Sequence, residues 1–393
     1  MLKYILKRIG LAIIMLLGVS FIIYFLIRLM PMDFIEQKFA TQLAQAESTA
    51  VQEKVDQLKD QLGLRVVYVV YEQDADGNFV LDENGEKIIL KRVTVDKYTK
   101  ASVMEEYGLT EGDVVWLNVK SFFSGYVKWL GKAMQGDFGD SLITGKSVVE
   151  TITDKMGISF VLALISTILQ FAIAIPLGIV SATKQYGVMD YTVTVLAMMG
   201  ISLPSFFFAA LLTRVFSLQL GWLPLSGMTT ASVVYDPALT SKLFSAEWFA
   251  YNTDVLLHLI LPMVVLVVLS IGGLMRYTRT NMLEVLNSDY IRTARAKGLS
   301  EHDVIYKHAF RNTLIPLVTM LAGTIPGLFG GAMITETVFA IPGIGQMAYQ
   351  SIVRGDINFV MAYNMFIAVL SILGTLMSDL MYAVVDPRVK IGK

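Results

Sequence analysis

The sequence predicts an all-α integral membrane protein: six transmembrane helices, with a small extracytoplasmic α+β insertion between helices one and two. Three observations carry that prediction. Of 393 residues, 54% are hydrophobic and only 17% charged, and a soluble domain does not gather its apolar residues into runs this long. Six of the runs approach or exceed the roughly 20 residues that a helix needs to cross the hydrocarbon. The basic residues of the short loops fall mainly on alternate connections, as the cytoplasmic bias of Lys and Arg requires.

The first run, GLAIIMLLGVSFIIYFLIRLM at about 10–30, follows Lys3, Lys7 and Arg8. It is too long for the apolar core of an ordinary signal peptide, and no A-x-A cleavage pattern follows, so a retained helix is expected. The others lie at about 157–182, 190–218, 254–276, 313–338 and 361–385. Lys184 sits between helices two and three. Between four and five come Arg276, Arg279, Arg292, Arg295, Lys297, Lys307 and Arg311; the opposite loops carry only Lys242 and Arg354. Both termini are therefore expected in the cytoplasm of a cell with this chain in its plasma membrane. The expected domains are the N-terminal helix 1–30, an extracytoplasmic region 31–156, a five-helix core 157–386 and a tail 387–393.

Residues 34–63 are rich in Ala, Gln, Glu and Lys and predict a helix stopped by Gly63. RVVYVVYEQ and KIILKRVTV then predict strands of a small β-meander over about 65–96, with Asp76-Gly77 and Asn84-Gly85 as turns. The segment 119–134 predicts a short amphipathic helix near the membrane surface, with Tyr126 and Trp129 as interfacial anchors. Two stretches imitate binding motifs. Glu72 to Gly77 with Glu83 has calcium-loop spacing, but strands flank it where helices are needed, and acidic turns are the preferred reading. DSLITGKS at 140–147 has Asp140 where a phosphate-binding loop needs glycine.

A net charge of −1 singles out no partner and gives no reason to expect nucleic acid. The absence of cysteine excludes disulfides, thiolate metal sites and cysteine nucleophiles. The three histidines are scattered, and neither H-E-x-x-H nor G-x-S-x-G occurs, so the chain is not expected to be an enzyme or to hold a metal. Ionisable groups inside the spans are functional candidates by default. Glu336 and His258 are the candidates for a translocation path. Glu336 ends the Gly-rich run GTIPGLFGGAMITE and could either face water or pair with a neighbouring helix. Arg214 and Asp379 lie near helix ends, where they could snorkel.

The loop 289–312, DYIRTARAKGLSEHDVIYKHAFRN, carries the most information. Its first part predicts a helix ending at Gly298, which takes left-handed dihedrals cheaply. Ser300 can cap a second helix, with Asp303 at the capping-box position. A passive basic loop does not need two helices meeting at a defined corner; a docking element does.

With these residues the chain resembles the permease subunits of the oligopeptide/dipeptide branch of ATP-binding-cassette importers. The family's cytoplasmic motif, E-A-A-x3-G followed after nine residues by I-x-L-P, is matched at Ala294 and Gly298, while Arg292 replaces the Glu and Arg311 the Pro. The peptide-branch variant Y-I-R-T-A-R-A-K-G-L stands at 290–299. GDFGDS, HAFRNTLIP, ITETVFAIPGIGQ and LMYAVVDPRVK also resemble the family. The departures are Pro31-Met32-Asp33 in place of P-G-D, and an insertion at roughly 65–117. The resemblance implies import of oligopeptides or dipeptides. It implies a second homologous permease, two ATPase subunits that bind ATP and Mg, an extracytoplasmic peptide-binding protein, surrounding membrane lipid, and no cofactor in this chain. It implies that 289–312 couples to an ATPase through Tyr290, Arg292, Ala294, Arg295, Lys297, Gly298, Ser300, His308 and Arg311. Relatives carrying nickel, glutathione or oligosaccharide remain open, as do an ATP-independent channel or carrier and an anchored adhesion or sensor protein.

Overall fold

The computed structural model describes residues 2–29, 66–71, 80, 89–95 and 111–385. Five helices among them are long and apolar enough to cross a membrane, and a bent pair can supply a sixth span. The chain divides into two compact units: residues 1–14, 150–351 and 365–393, and residues 15–149 and 352–364.

The second unit holds most of α1 (Leu2–Leu29), a strand pair, and α2 (Glu111–Met134). Strands β1 (Val66–Tyr71) and β2 (Ile89–Val95) pair antiparallel, with Val66 opposite Val95 and a shift in register between Val70 and Tyr71. Both expected strands are thus present as a two-stranded sheet. The expected helix 34–63, both turns and the calcium-like loop lie outside the described residues. Helix α2 begins earlier than the expected 119, and its aromatic face packs against α1 instead of serving as a lipid anchor. Trp129 is buried and lies 5.9 Å from the Tyr24 ring, and Tyr126 hydroxyl is 2.8 Å from Ser20 Oγ. The imitation phosphate loop is a tight turn closed by an Asp140–Ser147 bridge. The Asp356 carboxylate accepts from Ser141 Oγ at 2.6 Å and from Ile143 N at 3.3 Å, so the loop's amides already face a negative charge.

The first unit is built on α3 (Val148–Thr183), α4 (Val188–Ser202), α5 (Ser205–Leu212), α6 (Pro237–Thr240) and α7 (Ala246–Leu286). It continues with α8 (Asp289–Ala296), α9 (Glu301–Asp303), α10 (Arg311–Gly330), α11 (Met333–Val338), α12 (Ile344–Arg354) and α13 (Ile357–Val385); the ends of α3, α12 and α13 reach into the second unit. Two expected spans are interrupted. The third bends by 105° between α4 and the stretch from α5 through a π-helical turn, Thr213–Gln219. Leu203 is held extended at φ −83°, ψ 128° by Pro204, which disfavours helix in the residue before it. The fifth span stops at Gly330, because Gly331 takes φ 73°, and Glu336 lies beyond the break in α11 rather than at the end of α10.

Close approach of α7 to its neighbours fixes the inner architecture. A Cβ on Gly272 would stand 2.5 Å from Ala197 O in α4, and one on Gly178 in α3 would stand 2.7 Å from Thr278 Cβ. Between spans there is little hydrophobic driving force, so small residues that admit such contacts supply the packing. Arg8 of α1 lies 3.0 Å from Asp379 Oδ2 of α13, an ion pair between helices in which the buried Oδ2 accepts no well-aligned hydrogen bond.

Candidate functional site

The corner at 289–312 is built from its sequence in the expected order. Helix α8 begins after Ser288 and ends at Lys297; Gly298 then takes φ +74°, the left-handed value that reverses the chain. Ser300 Oγ accepts from Asp303 N at 3.1 Å and donates to Asp303 Oδ2 at 2.8 Å. This is a cap with Asp303 answering through the hydroxyl. The second arm differs from an isolated helix: α9 passes through a π-helical stretch, Val304–Phe310, directly into α10.

The corner sits on an apolar seat. Ile291, Ala294, Val304 and Ala309 are buried with Ile179 and Ala182 of α3 and Met282 of α7. The arms carry exposed charges, which hydrocarbon would exclude, so the hydrophobic effect is taken at its value in water. Burying Ile291 alone contributes about 1.5–3 kcal/mol. Ala294, expected among the coupling residues, is thus in the seat and not on the surface.

The outward face carries the rest of the expected set. Tyr290, Arg292, Arg295, Lys297, Gly298, Ser300, His308 and Arg311 are exposed. Arg295 reaches across Gly298 to Glu301, with Nε 2.8 Å from Oε1 and Nη2 3.4 Å from Oε2. Lys307 pairs with Asp303 at 2.6 Å, and Arg292 lies 3.6 Å from Asp289. The Lys307 hydrogen bond, and then that from Ser300, hold the Asp303 carboxyl below the usual carboxylate range. Lys297 and Arg311 have no acidic partner among the described residues. Tyr290, Leu299 and Tyr306 stand exposed amid these cations, giving an apolar and cationic surface on a fixed support.

Sequence reasoning missed the tie beneath this corner. Arg279 of α7 donates from Nε and Nη2 to the two carboxylate oxygens of buried Asp190, at 3.0 and 2.9 Å. Ser181 Oγ and Tyr186 N donate to the same carboxylate. Asp190 lies at the edge of an apolar run, where the cost of an ionisable group was the available signal.

Glu336 and His258 occupy separate hydrogen-bond networks. His258 is buried, with Nδ1 2.8 Å from Asp254 O and 3.3 Å from Asp254 Oδ1. Asp254 also accepts from Thr230 N and Oγ1, each at 2.7 Å, and from Tyr235 hydroxyl at 3.1 Å, fastening the 230–235 loop to α7. Glu336 is fully buried, hydrogen-bonded by Ser159 Oγ and by the backbone N–H groups of Ala332 and Gln346. Arg214 is exposed on the π-helical turn after α5. Among the described residues no group of three or more His, Cys, Asp or Glu is placed to hold a metal.

Comparison with known proteins gives these features a context. The family model described as "Binding-protein-dependent transport system inner membrane component" matches residues 174–391. The Bacillus subtilis oligopeptide transport system permease protein AppB is 38% identical over 297 residues, 75% of this chain and 86% of that one. The dipeptide transport system permease protein DppB of Alkalihalophilus pseudofirmus is 37% identical over 264 residues, 65% of this chain and 78% of that one. Among solved structures, an inward facing MetNI methionine ABC transporter matches with a TM-score of 0.44 and 17% identity, covering 61% of this chain and 97% of that chain.

Proposed function

Because the chain belongs to the binding-protein-dependent transport system inner membrane component family, we propose that it forms half of the translocation path of an ATP-driven importer of oligopeptides or dipeptides. It is a membrane-embedded transport subunit, not a catalyst. The other half of the path is a second, homologous permease. Two ATPase subunits bind ATP and Mg, a peptide-binding protein delivers cargo on the extracytoplasmic side, and lipid surrounds the spans. This chain contributes no cofactor. Both termini are cytoplasmic. Residues 31–156 are extracytoplasmic, with 65–117 as an accessory to the core of 157–386, and 387–393 form the tail.

The observation that carries this reading is the corner: a surface of Tyr290, Leu299, Tyr306, Lys297 and Arg311 held rigidly over the seat of Ile291, Val304 and Ala309. Such a surface suits a groove on an ATPase, with Arg292, Arg295, Gly298, Ser300 and His308 setting its shape and Ala294 anchoring it. Tilting of the corner by the ATPases reaches α7 and α10, which it joins, and rocks the path between inward and outward exposure. Asp254, backed by His258, holds the 230–235 loop at the path's outer end.

The test is gentle solubilisation of the tagged chain, identification of co-purifying subunits by mass spectrometry, and reconstitution with labelled peptides. A second permease and ATPase subunits should be recovered, with peptide uptake that depends on ATP. Uptake that survives removal of ATP, or recovery of the chain without any ATPase, would refute the importer reading.

A further inference from the structure

Glu336 poses a problem of charge. Its side chain is fully buried, and among the described residues no cation is paired with it. A buried carboxylate without a counter-charge persists only where hydrogen bonds hold both oxygens. Oε1 accepts from Ser159 Oγ at 2.8 Å and from Ala332 N at 2.9 Å. Oε2 accepts from Gln346 N at 2.9 Å. The Ser159 oxygen in turn accepts from Ile344 N at 2.8 Å. One side chain therefore joins α3, the break after α10 and the first turn of α12.

The backbone is moulded around this carboxylate. A Cβ on Gly343 would collide with both Glu336 Oε2 and Ser159 Oγ, and one on Gly345 would stand 2.9 Å from Oε2 and 2.7 Å from Met333 N. Backbone thus packs closely around both carboxylate oxygens, with a Cβ on Gly331 also within 2.9 Å of Oε1.

We infer that Glu336 is a positioning residue: its carboxylate fastens α3 to the 331–346 segment, so that the two move as one body through the transport cycle, without touching cargo. Separating them would remove the Ser159 donor and leave a poorly satisfied charge in a buried site, so motion is directed to other joints. The inference rests on the importer reading for its cycle, but the fastening itself does not.

Hydrogen exchange measured by mass spectrometry tests it, following peptides that cover 339–348 in the assembled complex, nucleotide-free and trapped with vanadate. In the wild type the Ile344 and Gln346 amides should be equally slow in both states. Ser159→Ala and Glu336→Gln should raise their exchange about tenfold or more. In proteoliposomes the same variants should lower cargo moved per ATP hydrolysed severalfold while leaving KM for cargo unchanged. If Glu336→Gln fails to assemble, Ser159→Ala supplies the same readouts with the charge retained. Faster wild-type exchange on trapping would show that the clasp opens during the cycle and overturn the inference. So would a severalfold change in KM with exchange unaltered, which places Glu336 against cargo. The difference between wild type and Ser159→Ala is readable on this chain whether or not an ATPase co-purifies, so failure of the importer reading and failure of the clasp are distinguished.

Discussion

Gly298 allows a perturbation whose size can be worked out in advance. It sits at φ +74°, and a Cβ added there would meet nothing within 4 Å. A substitution therefore costs only what the left-handed backbone imposes, about 1–2 kcal/mol for an L-residue, with a β-branched side chain at the unfavourable end. At 1.4 kcal/mol per tenfold, this lowers the population of the correctly turned corner relative to its alternatives by about 5- to 30-fold. If docking needs the turned corner, the apparent dissociation constant for the ATPase rises by the inverse of the remaining competent fraction, so 5- to 30-fold is the ceiling. Gly298→Val should approach that ceiling. Gly298→Asn should lie near wild type, because asparagine tolerates this conformation. Ser300→Ala, which removes a cap worth about 1 kcal/mol, should fall between. The assay is titration of permease complexes in nanodiscs with purified ATPase subunits, with uptake measured in parallel. If Gly298→Asn weakens binding as much as Gly298→Val, the backbone argument is wrong and the glycine serves the interface by its size. If Gly298→Val binds and transports normally, the corner does not couple.

Two further outcomes follow from packing and charge. Gly272→Ala, whose Cβ would press on Ala197 O, should destabilise the complex by about 1–3 kcal/mol, whereas Gly273→Ala, with nothing within 4 Å, should leave its melting temperature unchanged; equal melting temperatures would deny the close approach of α7 to α4. A cysteine at Val234, which is 92% exposed, should react with an impermeant thiol reagent in intact cells while one at Ser300 should not, and the reverse pattern would invert the topology.

Features of short sequence range were legible. Hydropathy located every span, because water excludes long apolar runs wherever they occur, but it missed the polar extensions of α3 back to Val148 and of α7 back to Ala246 and on to Leu286. The corner was legible because Gly298, Ser300 and Asp303 act on their own backbone. The breaks were not found, although their causes are local: a window that averages hydropathy passes smoothly over Leu203-Pro204 and over Gly331. What joins distant parts of the chain left no such trace. Ser159 meets Glu336 across 177 residues, and Arg279 meets Asp190 across 89. A serine in an apolar helix looks the same with or without a partner. Trp129 and Tyr126 were legible as a face but not as to what covers it, since lipid and a neighbouring helix favour the same side chains.

Helix α7 is 41 residues long, about 60 Å at 1.5 Å per residue and twice the thickness of the hydrocarbon. Pro262 stands within it and removes one rung of its hydrogen-bond ladder. If the rod pivots there, its two arms are unequal: about 36 Å to Leu286 and the corner, and about 24 Å to Ala246, with the knot around Asp254 about 12 Å along the short arm. A rotation of 5°, about 0.09 radian, moves the long arm's tip by ~3 Å and the short arm's tip by ~2 Å at this geometry. On the proposed importer reading the rod then works as a reducing gear, trading travel at the driven end for force at the other, where a closed passage must be prised apart.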